Sequence, residues 1–163
     1  MSSLKRIGLG GGCHWCTEGV FVSLRGVVRV EQGWIASESP YDALSEAVIV
    51  HYDESEIRAV QLILAHLETH AATSDHALRG KYRSAVYYFN AEDAAHYREL
   101  LREVAEHTEL SLRTLVLPFV AFRPSLPEHR DYFRSDPERP FCRRYIQPKL
   151  ARLHDKRPEL FSG

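Results

Sequence analysis

Two hydrophobic patterns follow one another along the chain. Apolar residues that alternate with polar ones, or that form short apolar runs, predict β-strands at residues 5–9, 27–34, 46–52, 83–89 and 113–119. Apolar residues with the helical period predict helices over residues 17–24, 54–70 and 92–106. Because no helix separates residues 27–34 from 46–52, we expect these strands to pair antiparallel. The patterns predict an α+β fold, a two-layer sandwich with a ferredoxin-like core and a mixed or antiparallel sheet.

Proline interrupts these patterns towards the C-terminus. Six of the eight prolines lie between residues 118 and 148, and proline lacks the backbone N–H that helices and central strands use. We therefore predict a long coil over residues 118–148, with little regular structure beyond short turns. A coil of that length in a compact domain is more often functional than not, and this one carries Cys142.

Composition limits the class of protein. The chain has 163 residues, 44% of them hydrophobic and 26% charged, enough for one domain over residues 1–163 with a real core. The formal net charge of −1 differs from that of nucleic-acid-binding proteins, so we expect no nucleic acid partner. No apolar run reaches the roughly 18 residues of a membrane span, and the N-terminus lacks the apolar region of a signal peptide. We expect a cytoplasmic protein with no membrane partner.

The cysteines point to chemistry. Three cysteines in a reducing compartment favour reactive or metal-binding thiols over structural disulfides. Two of them, Cys13 and Cys16, lie in the glycine-rich stretch GLGGGCHWC at residues 8–16. This stretch lacks the remaining signature of a dinucleotide or P-loop site, and it falls short of the four ligands of a structural zinc site, so we expect no metal. We favour a nucleophilic thiol, because the start of a helix stabilises a thiolate.

The stretch resembles the active-site motif of the A-type peptide methionine sulfoxide reductases, GGCFWC followed by an acid, in the residues GGCHWCTE at 11–18. Further segments similar to that family follow in order along nearly the whole chain: GW at 33–34 with Tyr41, EAVIVHYD at 46–53, YRSA at 82–85, FRP at 122–124, HRDY at 129–132, DP at 136–137, FCR at 141–143 and IQPK at 146–149. On this series the chain is identified as a divergent member of the family.

The resemblance implies an enzyme that reduces the S epimer of methionine sulfoxide, free or in proteins, with a thioredoxin-type reductant and no cofactor. It implies that Cys13 attacks the substrate sulfur and becomes a sulfenic acid. Glu46 would protonate or hydrogen-bond the sulfoxide oxygen, since a carboxyl desolvated by burial can hold a proton near neutral pH. Tyr82 would donate a further hydrogen bond to that oxygen, and Trp15 would form an apolar wall for the S-methyl group of the substrate.

The resemblance also implies that Cys142 condenses with the sulfenic acid to form a disulfide. Cys16 remains the alternative partner because it follows Cys13 by one helical turn, although we expect it to pack as a small buried hydrophobe. A thiol–disulfide oxidoreductase that uses Cys13 and Cys16 is therefore one alternative function. A module that binds oxidised methionine without turnover is another.

The chain departs from the family pattern near the expected substrate site. His14 stands where the family has phenylalanine, which makes part of the methyl-binding wall polar. Trp34 stands where the family has a tyrosine, and it offers an indole N–H in place of a hydroxyl. The family's active-site aspartate has no clean counterpart, and Asp75 is the nearest candidate. We expect all three side chains to contribute to substrate binding.

Overall fold

The computed structural model describes residues 4–11, 14–69, 83–108, 114–127 and 130–161. The strands within these ranges are β1 (Leu4–Gly10), β2 (Val27–Ala36), β3 (Ser45–Asp53), β4 (Ala85–Tyr88), β5 (Leu115–Pro118) and β6 (Ala121–Pro124). The helices are α1 (His14–Val22), α2 (Ala59–Thr69), α3 (Ala91–Thr108), α4 (Tyr132–Ser135) and α5 (Gln147–Lys156), with a π-helical turn at Cys142–Ile146 and a 3-10 turn at Pro158–Leu160. None of the helices in the described ranges combines the length and the apolar character that crossing a membrane requires.

The six strands form one mixed sheet in the order β5-β4-β1-β3-β2-β6. Strands β4 and β5 run parallel, and the other pairs are antiparallel. The expected antiparallel pairing of β2 with β3 is confirmed, and it sets Trp34 opposite Glu46. From β1 to β4 the elements follow the order βαββαβ, with the strands arranged β4-β1-β3-β2, which is a ferredoxin-like core.

The helices cover one face of this sheet. Side chains of the central strands such as Ile7, Val48 and Val86 are fully buried in a core that also contains residues of α1, α2, α3 and α5. Each such side chain contributes about 1.5–3 kcal/mol by its burial. A smaller cluster around Ile35 and Tyr87 covers the opposite face. The predicted two-layer α+β sandwich is confirmed, as are the five predicted strands and three predicted helices.

The predicted coil over residues 118–148 is wrong for much of its length. The segment contains β6, α4 and the π-helical turn that begins at Cys142 and leads directly into α5. Its prolines occupy positions where a missing N–H is tolerated: Pro118 and Pro124 end the two edge strands, and Pro148 lies in the first turn of α5. Cys142 therefore lies on a helical turn and not in a coil.

The edge strand β6 approaches β2 closely at Gly33. A Cβ atom at this position would lie 2.1 Å from the carbonyl oxygen of Arg123, so the pairing requires glycine. Beyond β6, the backbone N–H of Ser125 donates to the carbonyl of Gln32 at 2.9 Å. The pairing thus places Ser125 against Gln32 of β2.

Arg83 holds the start of β3 in place, although it is only 3% exposed. Its guanidinium donates to the carbonyls of Ala43 and Ile35 and to the hydroxyl of Tyr87, all at 2.9–3.1 Å. Its backbone N–H donates to Ser45 Oγ at 2.8 Å. Because a buried guanidinium is tolerated only when its donors are satisfied, these bonds fix the segment that leads into β3.

Candidate active site

The site predicted around Glu46 lies where the start of α1 meets β2 and β3. Glu46 is the second residue of β3. Its Oε1 atom accepts a hydrogen bond of 3.1 Å from the backbone N–H of His14, the first residue of α1. Only 5% of Glu46 and 6% of His14 are exposed. A buried carboxyl group therefore satisfies one of the N–H groups that every helix leaves free at its first turn.

The His14 ring lies between Glu46 and Trp34 and has a polar neighbour on each side. Its Nδ1 atom is 3.3 Å from Glu46 Oε1, and its Nε2 atom is 3.5 Å from Ser125 Oγ. The Trp34 ring meets it edge to face, with the ring centroids 5.0 Å apart. The histidine that stands in the place of the family's phenylalanine is thus both an aromatic and a polar component of the site.

A buried series of hydrogen bonds continues from Ser125. The Ser125 hydroxyl donates to Gln32 Oε1 at 2.8 Å, and Gln32 Nε2 donates to Glu18 Oε1 at 2.9 Å. Glu18 Oε2 accepts the backbone N–H of Asp131 at 2.9 Å. Because Ser125, Gln32 and Glu18 are each exposed by 3% or less, water does not compete for these bonds. We call these three residues the polar chain.

Aromatic contacts connect the start of α1 with the residue before Cys142. The half-buried Trp15 ring meets the Phe141 ring edge to face, with centroids 5.5 Å apart. The Phe141 ring lies 5.0 Å from that of Tyr145, within the same helical segment. These contacts bring the segment that carries Cys142 against the start of α1.

Cys142 and Cys16 belong to one buried cluster. Cys142 is 0% exposed and Cys16 5% exposed, and both pack with Ile146 and with the half-buried Phe133. Cys142 is a free thiol. Burial raises the pKa of the Cys142 thiol, against a smaller lowering by Arg139, so this thiol is protonated at neutral pH. The expectation that Cys16 packs as a small buried hydrophobe is confirmed.

Four of the residues predicted for the site lie together at this end of the sheet: His14, Trp15, Trp34 and Glu46. Cys142 follows Phe141, which contacts Trp15. Cys13, Asp75 and Tyr82 lie outside the described residues. Among the residues that the structure does describe, no three His, Cys, Asp or Glu side chains cluster in a way that could hold a metal ion.

The polar chain was not predicted from the sequence. The position of Gln32 gave one indication. It shares the alternate positions of the predicted strand with the apolar Val28, Val30 and Trp34, and a buried polar side chain needs a hydrogen-bond partner. Ser125 carried none, because its place beside Gln32 depends on the pairing of β6, a strand within the predicted coil. Glu18 belonged to the quoted motif only as its terminal acid.

Comparison with known proteins relates the chain to one family. The sequence profile of that family, described as peptide methionine sulfoxide reductase, matches residues 5–160. The chain is 33% identical to the peptide methionine sulfoxide reductase MsrA of Thermus thermophilus, over 88% of this chain and 90% of that one. It is also similar to the solved structure of reduced Mxr1 from Saccharomyces cerevisiae, with a TM-score of 0.73 and 20% identity over 85% of this chain and 89% of that one. Mxr1 in complex with Trx2 matches with a TM-score of 0.62 and 20% identity, over 79% of this chain and 84% of that one.

Proposed function

Because the chain belongs to the peptide methionine sulfoxide reductase family, we propose that it reduces the S epimer of methionine sulfoxide, free or in proteins, to methionine. The observation that carries the proposal is the buried carboxyl of Glu46, bonded to the first residue of α1, the residue that Cys13 precedes in the sequence. Sulfoxide reduction by a thiol needs a nucleophilic thiolate and a proton donor in one site. Cys13 and Glu46 supply these two groups.

The Cys13 thiolate attacks the sulfoxide sulfur while Glu46 gives a proton to the sulfoxide oxygen. The sulfur–oxygen bond of the substrate breaks, and the oxygen ends on the Cys13 sulfur as a sulfenic acid. The substrate sulfur gains the electron pair that Cys13 loses and becomes a thioether. Because thiols supply these electrons, the reaction needs neither a metal nor a cofactor.

Aromatic side chains around Glu46 suit a substrate that ends in an S-methyl group. Trp15 and Trp34 are both only half-buried, so a substrate can reach them, whereas Glu46 is almost fully buried. Trp15 offers an apolar wall to the methyl group, and Trp34 offers either apolar surface or its indole N–H. We also assign Tyr82 and Asp75, from the family resemblance, to contacts with the substrate.

Recycling follows from the fate of the sulfenic acid. The Cys142 thiol condenses with it, water leaves, and a disulfide between Cys13 and Cys142 remains. A thioredoxin-type dithiol then reduces this disulfide by thiol–disulfide exchange. This chain shares the fold of Mxr1, and the solved complex of Mxr1 with Trx2 supports a reductant of that type. We place the reaction in the cytoplasm, where such dithiols keep thiols reduced.

The proposal is tested with racemic dabsyl-methionine sulfoxide and dithiothreitol, with both epimers and the product separated by chromatography. We expect conversion of the S epimer to dabsyl-methionine while the R epimer is left. Loss of both epimers at equal rates would contradict the proposal. Binding of the S epimer without any product would instead make the chain a binding module.

Glu46→Gln is expected to lower kcat for the S epimer about 10²–10⁴-fold, the usual effect of losing a general acid. Glutamine keeps the size of the side chain and can still accept the N–H of His14, but it cannot give up a proton. Steady-state kinetics with dithiothreitol measures the effect. The matched control is Glu31→Gln, because Glu31 also contacts a histidine, His51, at 2.7 Å on the same sheet. A change below about threefold in Glu46→Gln would show that another group is the acid.

A further inference from the structure

We infer that His14 is a positioning residue for Glu46, and that the polar chain of Glu18, Gln32 and Ser125 determines which nitrogen of its ring is protonated. The His14 and Glu46 side chains then hold one proton between Nδ1 and Oε1, available to the sulfoxide oxygen. The protonation of the ring follows from the directions of the hydrogen bonds. Its consequence for the reaction rests on the proposed function.

Glu18 determines the direction of the hydrogen bonds. Its Oε2 atom faces the backbone N–H of Asp131 at 2.9 Å, and its Oε1 atom faces Gln32 Nε2 at 2.9 Å. A backbone N–H can only donate and a carboxylate can only accept. The amide nitrogen of Gln32 therefore points to Glu18, and its amide oxygen points to Ser125.

Ser125 carries this direction on to His14. Its Oγ atom lies 2.8 Å from Gln32 Oε1, which has no hydrogen to donate, so the hydroxyl hydrogen is used in this bond. At 3.5 Å, Oγ presents a lone pair to His14 Nε2. Nε2 must then carry a hydrogen, since a bare Nε2 would set two lone pairs against each other.

The other ring nitrogen of His14 faces Glu46. The His14 side chain is only 7% exposed, and its Nδ1 atom has no hydrogen bond of regular geometry to any described residue. Nδ1 faces Glu46 Oε1 at 3.3 Å, and that carboxyl side chain is likewise 7% exposed. An unprotonated Nδ1 would set its lone pair against an ionised Glu46 carboxylate, and this repulsion is strong in a buried site from which water is excluded. We therefore infer that the pair shares one proton, bound either to His14 Nδ1 or to Glu46 Oε1.

Transfer of this proton to the sulfoxide oxygen uses the one proton that the pair holds. It leaves a neutral His14 protonated at Nε2 and a Glu46 carboxylate that still accepts the backbone N–H of His14. Uptake of one proton from solvent then restores the donor. A phenylalanine at position 14 has no atom that could share the proton, so a chain with that residue would rely on the glutamate alone.

Few described groups face the pair from the neighbouring elements: Trp34 and Gln32 of β2, Ser125 after β6, and Glu18 of α1 through Gln32. Of these only Glu18 is charged. It accepts hydrogen bonds from Gln32 and Asp131, and it interacts electrostatically with the Arg134 guanidinium of α4. The Arg123 side chain, opposite Trp34 on β6, is exposed to solvent.

The ring protonation is tested by ¹⁵N NMR of the histidine side chains, which needs no substrate. His14→Phe assigns the His14 signals by their absence. We expect the two-bond correlations of His14 to show a proton on Nε2 from about pH 6 to about pH 8, the range in which an unconstrained histidine titrates and exchanges tautomers. We expect Ser125→Ala to lose this preference. A bare Nε2 with a protonated Nδ1 in the wild type, or an unchanged pattern in Ser125→Ala, would overturn the inference.

The consequence for the reaction is tested by the pH dependence of kcat. The ratio of kcat near pH 8 to kcat near pH 5.5 is expected to be about tenfold lower in His14→Phe than in the wild type, because an unassisted carboxyl loses its proton as the pH rises. A purely structural effect would lower kcat equally at both pH values, and such parallel profiles would overturn the inference. His51→Phe is the matched control, since it removes a second His–Glu pair on the same sheet and should leave the profile unchanged.

The two tests separate this inference from the proposed function. If the wild type reduces no sulfoxide at any pH, the proposed function fails, and the NMR result still decides which nitrogen of His14 is protonated. If His14→Phe does not fold, Ser125→Ala is assayed over the same pH range. We expect it to show the same selective loss of kcat at high pH.

Discussion

Replacing Cys142 with serine is expected to abolish turnover supported by thioredoxin, while about one methionine still forms per chain in the first round. The first step does not involve Cys142, so its rate should not change. The second step has lost the thiol that condenses with the sulfenic acid. Rapid-quench measurements of methionine in the presence of thioredoxin and its reductase would show a burst followed by no steady-state rate.

Cys16→Ser is the matched control for this variant. Cys16 packs in the same buried cluster as Cys142, so each substitution places a hydroxyl in apolar surroundings at a cost of about 1–3 kcal/mol. We expect Cys16→Ser to keep turnover. Loss of turnover in Cys16→Ser and not in Cys142→Ser would assign the second step to Cys16. Mass spectrometry of the oxidised wild type would then show a bond between Cys13 and Cys16, as in a thiol–disulfide oxidoreductase.

The burial of Cys142 adds a structural requirement to recycling. The thiol is 0% exposed, and burial raises its pKa. A reductase attacks one of the two sulfur atoms of a disulfide directly. The π-helical turn at Cys142–Ile146 must therefore open if the Cys142 sulfur is to be attacked in the disulfide. Turns of this type are frequent at functional sites, where a helix departs from regular geometry.

Most of the fold could be predicted because the buried face of each helix or strand requires apolar residues at a regular spacing along the sequence. The run EAVIVHY at residues 46–52 is buried almost throughout, as befits a central strand, and β3 spans it. The predicted coil over residues 118–148 is wrong because proline can also end a strand or begin a helix. Pro124 ends an edge strand and Pro148 begins a helix, and both are positions where the ring is tolerated.

The candidate site was predictable only in part. The place of Glu46 at the start of a strand could be predicted, because the apolar run that follows it is strongly patterned. The link from His14 through Ser125 to Gln32 was not predictable. It joins residues 111 and 93 positions apart along the chain, and such long-range contacts leave no periodic signal in the sequence.

Cys13→Ser is expected to form no methionine at all, since the hydroxyl that replaces the thiol cannot be oxidised by a sulfoxide. Cys16 and Cys142 remain in this variant, but both are buried, and burial holds Cys142 as a protonated thiol. Neither of these two thiols is therefore placed to take over the attack. Circular dichroism would establish that the variant keeps the wild-type fold.

The role of Cys13 is tested most directly in a single turnover without added reductant. Fully reduced protein is freed of dithiothreitol and mixed with an excess of the S epimer, and methionine and remaining thiols are then counted per chain. For the wild type we predict about one methionine and the loss of about two thiols. For Cys13→Ser we predict neither. Methionine formed by Cys13→Ser at the wild-type rate, or none formed by the wild type, would contradict the mechanism.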